Sequence, residues 1–208
     1  MTSTPARVYA QGHLFVLADA DADPAIETLD FSTGVAGTST SAAFICTGID
    51  SGHVHVSTEA LTERPALDTA TQWAQMAAWD DVAEFSLHAP RGLLTIERLT
   101  TTPAATRPDL APLSSAGPGT YRIRVHARGR DHQHDQTVDD SNERFHISAW
   151  PESITAPIII TTTSQCGYGL RLSTLHNPPT APAPTPSTPQ QHADAEHQAM
   201  LRRALQGK

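Results

Sequence analysis

Apolar and polar positions alternate most strictly between residues 117 and 131, which read GPGTYRIRVHARGRD. Side chains of a β-strand point alternately to opposite faces, so this period predicts a half-buried strand that begins after a Gly-Pro-Gly turn. Its apolar face comprises Tyr121, Ile123, Val125 and Ala127. Its other face carries five cationic or titratable side chains, here called the cation row: Arg122, Arg124, His126, Arg128 and Arg130. The pattern places the apolar face at the centre of the core and the cation row in solvent.

Shorter alternating or β-branched runs predict further strands on both sides of this one. They cover residues 7–17, 42–46, 52–59, 82–87, 93–99, 144–150, 157–163 and 169–173. A Pro-Arg-Gly turn between the fourth and fifth of these runs predicts a hairpin, and 144–150 is expected to pair with the central strand. A cap at Asp68 or Thr69 predicts one short helix that ends at Ala77. Many short strands with one helix favour an all-β fold, either an antiparallel β-sandwich or a jelly-roll-like fold.

Composition divides the chain into a domain and a tail. Residues 1–5 are expected to be disordered and residues 6–174 to form one domain, since 208 residues fill one core. Residues 175–191 are rich in proline and predict a semi-rigid linker. Residues 192–208 have few apolar positions and predict a weak C-terminal helix.

The charge balance narrows the class of partner. The formal net charge is −8, whereas nucleic-acid-binding proteins are normally basic, so a nucleic-acid partner is not expected. No secretory signal is recognised, and the longest apolar run, Ile154 to Ile160, is too short to span a bilayer. We therefore expect a cytoplasmic protein that does not contact a membrane.

The two cysteines have no spacing typical of a metal site. Cys46 lies in an apolar run, which favours a buried thiol, and Cys166 lies between glycines in a predicted loop. The two would pair only if the fold brought them together, and a cytoplasmic location favours the reduced state.

One cluster has the residue types of a metal site. His53, His55 and Glu59 fall on the same face of a predicted strand, and two imidazoles with a carboxylate suit a transition metal. The pattern resembles half of the cupin metal signature, without the second motif that supplies a further histidine. The simpler alternative is a half-buried strand with Val54 and Val56 inside and both histidines in water.

No other motif assigns a catalytic residue. A second His-x-His pair, in Asp131–Asp135, lies in a polar connection where ordering several ligands costs entropy. No nucleophile elbow and no phosphate-binding glycine loop is present in the sequence.

The cation row supports two interpretations. Guanidinium groups bind carboxylates and phosphates through paired hydrogen bonds, so Arg122, Arg124, His126, Arg128 and Arg130 are candidates for partner binding. Alternatively, acids on neighbouring strands neutralise the row. The candidates for that role are Glu84, Glu97, Asp131 and Glu143.

Two stretches resemble a group of actinobacterial proteins of unassigned activity. They are YRIRVHARGRD at 121–131 and FHISAWP at 145–151, against YRVRVHARGRD followed by LWP in that group. GHVHV at 52–56 and WDDVAEFSL at 79–87 fit the same pattern. More remotely, the layout is similar to the competence protein J family, small β-sandwich inhibitors of a DNA-entry nuclease. The shared parts are a strand pair, a Gly-x-Tyr entry to a late strand and a following strand near an aromatic residue.

These observations favour a non-catalytic cytoplasmic protein-binding module, an inhibitor or immunity-type protein whose partner is another protein and which needs no cofactor. An acidic chain suits a basic partner. The alternative is a metal-dependent, cupin-like jelly-roll enzyme that uses His53, His55 and Glu59. A third possibility is a structural accessory protein that is docked by its tail.

Overall fold

The computed structural model describes residues 4–22, 29–97 and 109–176. In chain order, the elements are β1 (Ala6–Gln11), β2 (Leu14–Ala18), β3 (Ala36–Thr38), β4 (Ala42–Cys46), β5 (Ser51–Ala60), α1 (Ala70–Ala77), β6 (Asp81–Ala89), β7 (Thr95–Glu97), β8 (Gly119–Arg128), β9 (Thr137–Pro151), β10 (Ile158–Thr162) and α2 (Gln165–His176). The first two residues of the predicted linker, Leu175 and His176, belong to α2, and the rest of the linker and the predicted C-terminal helix lie outside the described residues. Within the described ranges, no helix is long and apolar enough to cross a membrane.

All of these strands join one curled sheet. Its order is β10-β6-β8-β9-β5-β1-β2-β4-β3, and β7 pairs with β2 beside this path. The strand pairs are antiparallel except β5 and β9, which run parallel. The all-β class is therefore confirmed, and the described strands form one curled, half-barrel sheet that is not clearly a sandwich.

The strand predictions are correct in the centre and need correction at the edges. β8 pairs with β6 on one side and with β9 on the other, as expected for 144–150. The predicted hairpin of 82–87 with 93–99 is wrong, because β7 leaves β6 and pairs with β2. The predicted strand 7–17 is divided into β1 and β2 by Gly12 and His13. Both have positive φ, the conformation that a tight hairpin turn requires.

The core lies on the concave side of the curled sheet. Val54 and Val56 of β5 and Ile123 and Val125 of β8 are completely buried there, as their alternation predicts. The curl brings β2 close to β9, and the rings of Phe15 and Phe145 meet edge to face with centroids 5.2 Å apart. Apolar burial on this side supplies most of the driving force for folding.

The short helix α1 confirms the predicted cap. Thr69 accepts a hydrogen bond from the backbone N–H of Gln72, while the Gln72 side chain accepts one from the backbone N–H of Thr69. This reciprocal capping box satisfies two N–H groups that the first turn leaves free. Residues 169–173, predicted as a strand, instead belong to the helix α2. The hydroxyl of Ser164 accepts the N–H of Gly167, and Asp131 accepts those of Gln165 and Cys166. One local and two long-range hydrogen bonds therefore stabilise the start of a glycine-containing helix.

Candidate functional site

The structure places most of the cation row inside the protein. Arg122, Arg124 and Arg130 are at most 2% exposed, His126 is also buried, and Arg128 alone among the five is exposed. The expectation that the row faces solvent is therefore wrong. The loop at 61–68 and two tryptophans, Trp79 and Trp150, cover this face of β8.

A buried carboxylate neutralises the first two arginines. Arg124 donates to Glu84 from Nε at 2.8 Å, and Arg122 donates from Nε at 3.3 Å. Arg64, whose side chain is half exposed, adds a third ion pair at 3.1 Å. Burial alone disfavours the charged carboxylate, but hydrogen bonding and charge from Arg124 and then Arg64 hold the pKa of Glu84 below its usual value. The alternative that acids on neighbouring strands neutralise the cation row is therefore correct for Glu84. We call Glu84, Arg122 and Arg124 the Glu84 cluster.

The guanidinium groups of the Glu84 cluster also contact backbone and aromatic atoms. Arg124 donates to the carbonyl of Pro65 and lies over the ring of Trp150, with its Cζ 5.3 Å from the ring centroid. Arg122 donates to Ser86 Oγ and to the carbonyl of Thr155. These contacts fasten the loop at 61–68 and the middle of the 152–157 segment onto β8.

His126 extends the same buried face without adding charge. Its ring lies 5.4 Å from that of Trp79 and 5.3 Å from that of His146, measured between centroids. Burial, followed by the charge of His146, lowers the pKa of His126 to about 3. The imidazole is therefore neutral at physiological pH and acts as a packing group.

Arg130 belongs to a different buried cluster at the far end of β8. Its guanidinium pairs with Asp81 and also donates to Ser164 Oγ and to the carbonyl of Cys46. Burial disfavours the ionised Asp81, but the charge of Arg130 and hydrogen bonds hold the pKa of that carboxyl below its usual value. Arg130 therefore connects the ends of β4, β6 and β8 with the start of α2.

The proposed metal residues contact the neighbouring strand β9. His53 Nδ1 lies 2.9 Å from the carbonyl oxygen of Asp139, and His55 Nε2 lies 3.5 Å from the carboxylate of Asp140. Glu59 lies 3.9 Å from the ring of His146. In the described part of the chain, no group of three or more His, Cys, Asp or Glu side chains is arranged to hold a metal. The metal hypothesis stays a prediction, and metal content tests it.

A cavity that the sequence did not indicate lies at the Arg130 end of the sheet. It has a volume of about 770 Å³ and is bounded by the β1–β2 turn, the end of β4, the 131–136 loop and α2. The chemically active side chains that line it are His13, Asp131, His134, Cys46 and Cys166. These five residues come from four segments that are distant in the sequence, so residue spacing along the chain could not indicate the cavity.

One carboxylate behind this cavity is strongly perturbed. Glu143 is completely buried and accepts hydrogen bonds from the backbone N–H groups of Gly48 and Ile49. Burial raises the pKa of Glu143 to about 7, although these N–H groups and Arg130 oppose the rise. Glu143 therefore fixes the 47–49 loop at the edge of the cavity.

One side of the sheet, formed by β10, presents an exposed apolar edge. β10 pairs with β6 and, among the described residues, with no other strand. Ile158 and Ile159 are each 42% exposed, and Ile154 just before them is 66% exposed. Neighbouring residues of a strand point to opposite faces, so β10 exposes apolar side chains on both of its faces. We call Ile154, Ile158 and Ile159 the isoleucine edge.

Comparisons with known proteins add a likeness of layout. No family model matches the sequence, and no curated protein matches it. The resemblance to actinobacterial proteins therefore has no support from a family match. Among solved structures, the chain is similar to ComJ from Bacillus subtilis, described as an inhibitor of the DNA-degrading activity of NucA. The TM-score is 0.44 at 10% identity, covering 73% of this chain and 98% of that one. At this level the likeness carries no argument about function.

Proposed function

We propose that the chain is a non-catalytic binding module and that its partner is a basic protein that adds a strand to β10. The observation that supports this is the isoleucine edge, an exposed strand whose outer side pairs with no other strand in the described part of the chain. Such an edge is a template for strand addition, where backbone hydrogen bonds provide affinity and side-chain pockets provide specificity.

The chemistry around β10 suits contact with another protein. Residues 153–163 contain no charged side chain, and natural edge strands are commonly protected by charges. Pro157 and an irregularity in the pairing between Ile159 and Thr161 protect this edge only in part. Helix α1 packs beside β10 and exposes about half of Trp73, which extends the apolar surface. Tryptophan and isoleucine together form the kind of patch that marks an interface.

The net charge of the chain favours a partner with a basic surface. With a net charge of −8, the protein attracts basic surfaces and repels acidic ones. Enzymes that act on nucleic acids carry basic surfaces around their active sites. In its finer form, the proposal is a cytoplasmic inhibitor or immunity-type protein that covers such a surface.

The experiment uses two double variants that match in charge and in the number of changes. Ile158→Lys with Ile159→Lys places two cations on β10. Leu93→Lys with Leu175→Lys makes the same change at exposed leucines away from that strand. A partner is isolated from the source organism, identified, purified and titrated against the wild type and both variants by calorimetry.

We expect a basic partner whose Kd rises by about tenfold or more for the β10 variant and by less than about threefold for the leucine variant. The affinity should fall with added salt because charge attraction is screened. An inhibitor also lowers the activity of the purified partner at stoichiometric ratio. Equal affinities of the two variants, or self-association of the chain through β10, would contradict the proposal.

A further inference from the structure

Both cysteines of the chain line the cavity near Arg130. Cys46 ends β4, Cys166 is the second residue of α2, and both line the cavity. The Cys166 thiol lies 3.9 Å from the carbonyl oxygen of Thr47, the residue that follows Cys46. The two sulfurs also interact electrostatically with each other and with the Arg130 guanidinium.

Buried contacts fix the segments that carry these thiols. Arg130 donates to the carbonyl of Cys46 and to Ser164, two residues before Cys166, and so ties the end of β4 to the start of α2. A Cβ at Gly167 would lie 2.9 Å from Arg130 Nη2 and 3.1 Å from the carbonyl oxygen of Gly34, so a larger residue would crowd this close approach of α2. These buried contacts therefore hold both thiol-bearing segments at the same cavity.

We propose that Cys46 and Cys166 form a dithiol site that low-molecular-weight disulfides convert into an intramolecular disulfide. In the first step, the Cys166 thiolate attacks one sulfur of the reagent RSSR, which forms a Cys166–S–SR mixed disulfide and releases RS⁻. In the second step, the Cys46 thiolate attacks the Cys166 sulfur and releases the other RS⁻. The two protein thiols lose two protons and two electrons, and the reagent becomes two thiols.

The order of attack follows from exposure. Cys166 is partly exposed and faces a cavity with room for a small adduct, whereas Cys46 is 2% exposed. The outer thiol therefore meets the reagent, and the inner thiol resolves the adduct. Burial raises the pKa of Cys46 to about 12 and raises that of Cys166, while the charge of Arg130 opposes both shifts. Since the thiolate is the nucleophile, the rate of oxidation rises with pH through the alkaline range.

The disulfide would fasten α2 to the sheet. It closes a loop of about 120 residues, between positions 46 and 166. Closing a loop of this length restricts the unfolded chain, and we expect the Tm of the oxidised protein to rise by about 5–15 °C.

The test treats the reduced, purified chain with 2-hydroxyethyl disulfide, a small neutral reagent, at mildly alkaline pH, and follows intact mass and peptide maps. The wild type should lose two hydrogens and yield a peptide pair linked through Cys46 and Cys166. Cys46→Ser should accumulate one 2-hydroxyethylthio adduct on Cys166. Cys166→Ser should react at least about tenfold more slowly, since the thiol left in it is buried.

Two controls keep the outcome decisive. The Tm of each reduced variant shows that it is folded, and all thiols should react rapidly once guanidinium unfolds the chain. The proposal is overturned if the native wild type stops at a mixed disulfide, if its disulfide links two chains, or if neither thiol reacts until the protein unfolds. It is also overturned if Cys166→Ser reacts as fast as Cys46→Ser, because that outcome excludes Cys166 as the entry point.

Discussion

Replacing Glu84 by Gln tests whether the cation row is structural. The substitution keeps the shape of the side chain and removes the negative charge that two buried guanidinium groups share. Glu84 is completely buried, and Arg122 and Arg124 are almost completely buried, so water cannot replace the lost charge. We expect a folded but much less stable protein.

The magnitude follows from the burial of the pair. Breaking a buried ion pair by removing one partner costs about 3–5 kcal/mol, because the remaining charge is left without compensation. A typical domain has only about 5–15 kcal/mol of stability in total. For a chain of this size, the loss corresponds to a decrease in Tm of about 6–20 °C. Arg64→Ala removes the exposed member of the same group and should cost at most about 1 kcal/mol.

The effect should depend on pH in a defined direction. The pKa of Glu84 is lower in the folded state than its usual 4.5, so its ionisation stabilises the fold above that pH. As the pH falls through the folded pKa, the wild type loses this contribution and Glu84→Gln does not. The difference in the free energy of unfolding is therefore constant near neutrality and shrinks in acid.

Urea denaturation at a series of pH values measures this difference, and Glu63→Gln, a change at an exposed residue, serves as the control. If the arginines were a solvated surface, the variant would lose less than about 1 kcal/mol, as exposed pairs do. Such a small loss, or a difference that does not change in acid, would refute the reasoning.

Three further outcomes are expected. Glu143→Gln should flatten the pH dependence of the free energy of unfolding between about pH 4.5 and 7. The raised folded pKa of Glu143 gives the wild type a stabilising contribution that is complete below pH 4.5 and is lost as the pH rises through 7. Urea titration at a series of pH values measures this slope, and an unchanged slope in the variant would contradict the assignment. Gly48→Ala should lower the free energy of unfolding by about 3 kcal/mol or more, because a Cβ there would lie 1.7 Å from the carbonyl oxygen of Arg130. The control Gly119→Ala adds a Cβ that meets no atom within 4 Å and should cost less than about 1 kcal/mol. Calorimetric melting compares the two variants. The purified protein should contain no stoichiometric transition metal by elemental analysis, because His53 and His55 contact Asp139 and Asp140 of β9. A bound metal that the double variant His53→Ala with His55→Ala loses would instead support the cupin-like alternative.

The sequence was sufficient for several local elements of the fold. Strict alternation located the central strands, and Tyr121, Ile123 and Val125 are buried in the core as predicted. The capping residue Thr69 located the start of α1. These features depend on neighbouring residues, which the sequence displays directly.

The long-range features could not be read in the same way. An arginine in an alternating strand usually faces water. Arg124 does not, because the loop at 61–68 and Trp150 cover it, and the alternation along the strand gives no sign of that cover. Helix α2 has a low intrinsic propensity because of its glycines, and it depends on a cap from Asp131, more than 30 residues away. The parallel pairing of β5 with β9 and the placement of Cys46 and Cys166 at one cavity are also long-range features.

The most direct test of the proposed function is hydrogen exchange of the β10 backbone amides with and without the purified partner. If the partner adds a strand to this edge, amides within Ile158–Thr162 become protected, and the amides that line the cavity near Arg130 do not change. Protection confined to the cavity or to the exposed side of β5, with β10 exchanging as fast as in the free protein, would contradict the proposal.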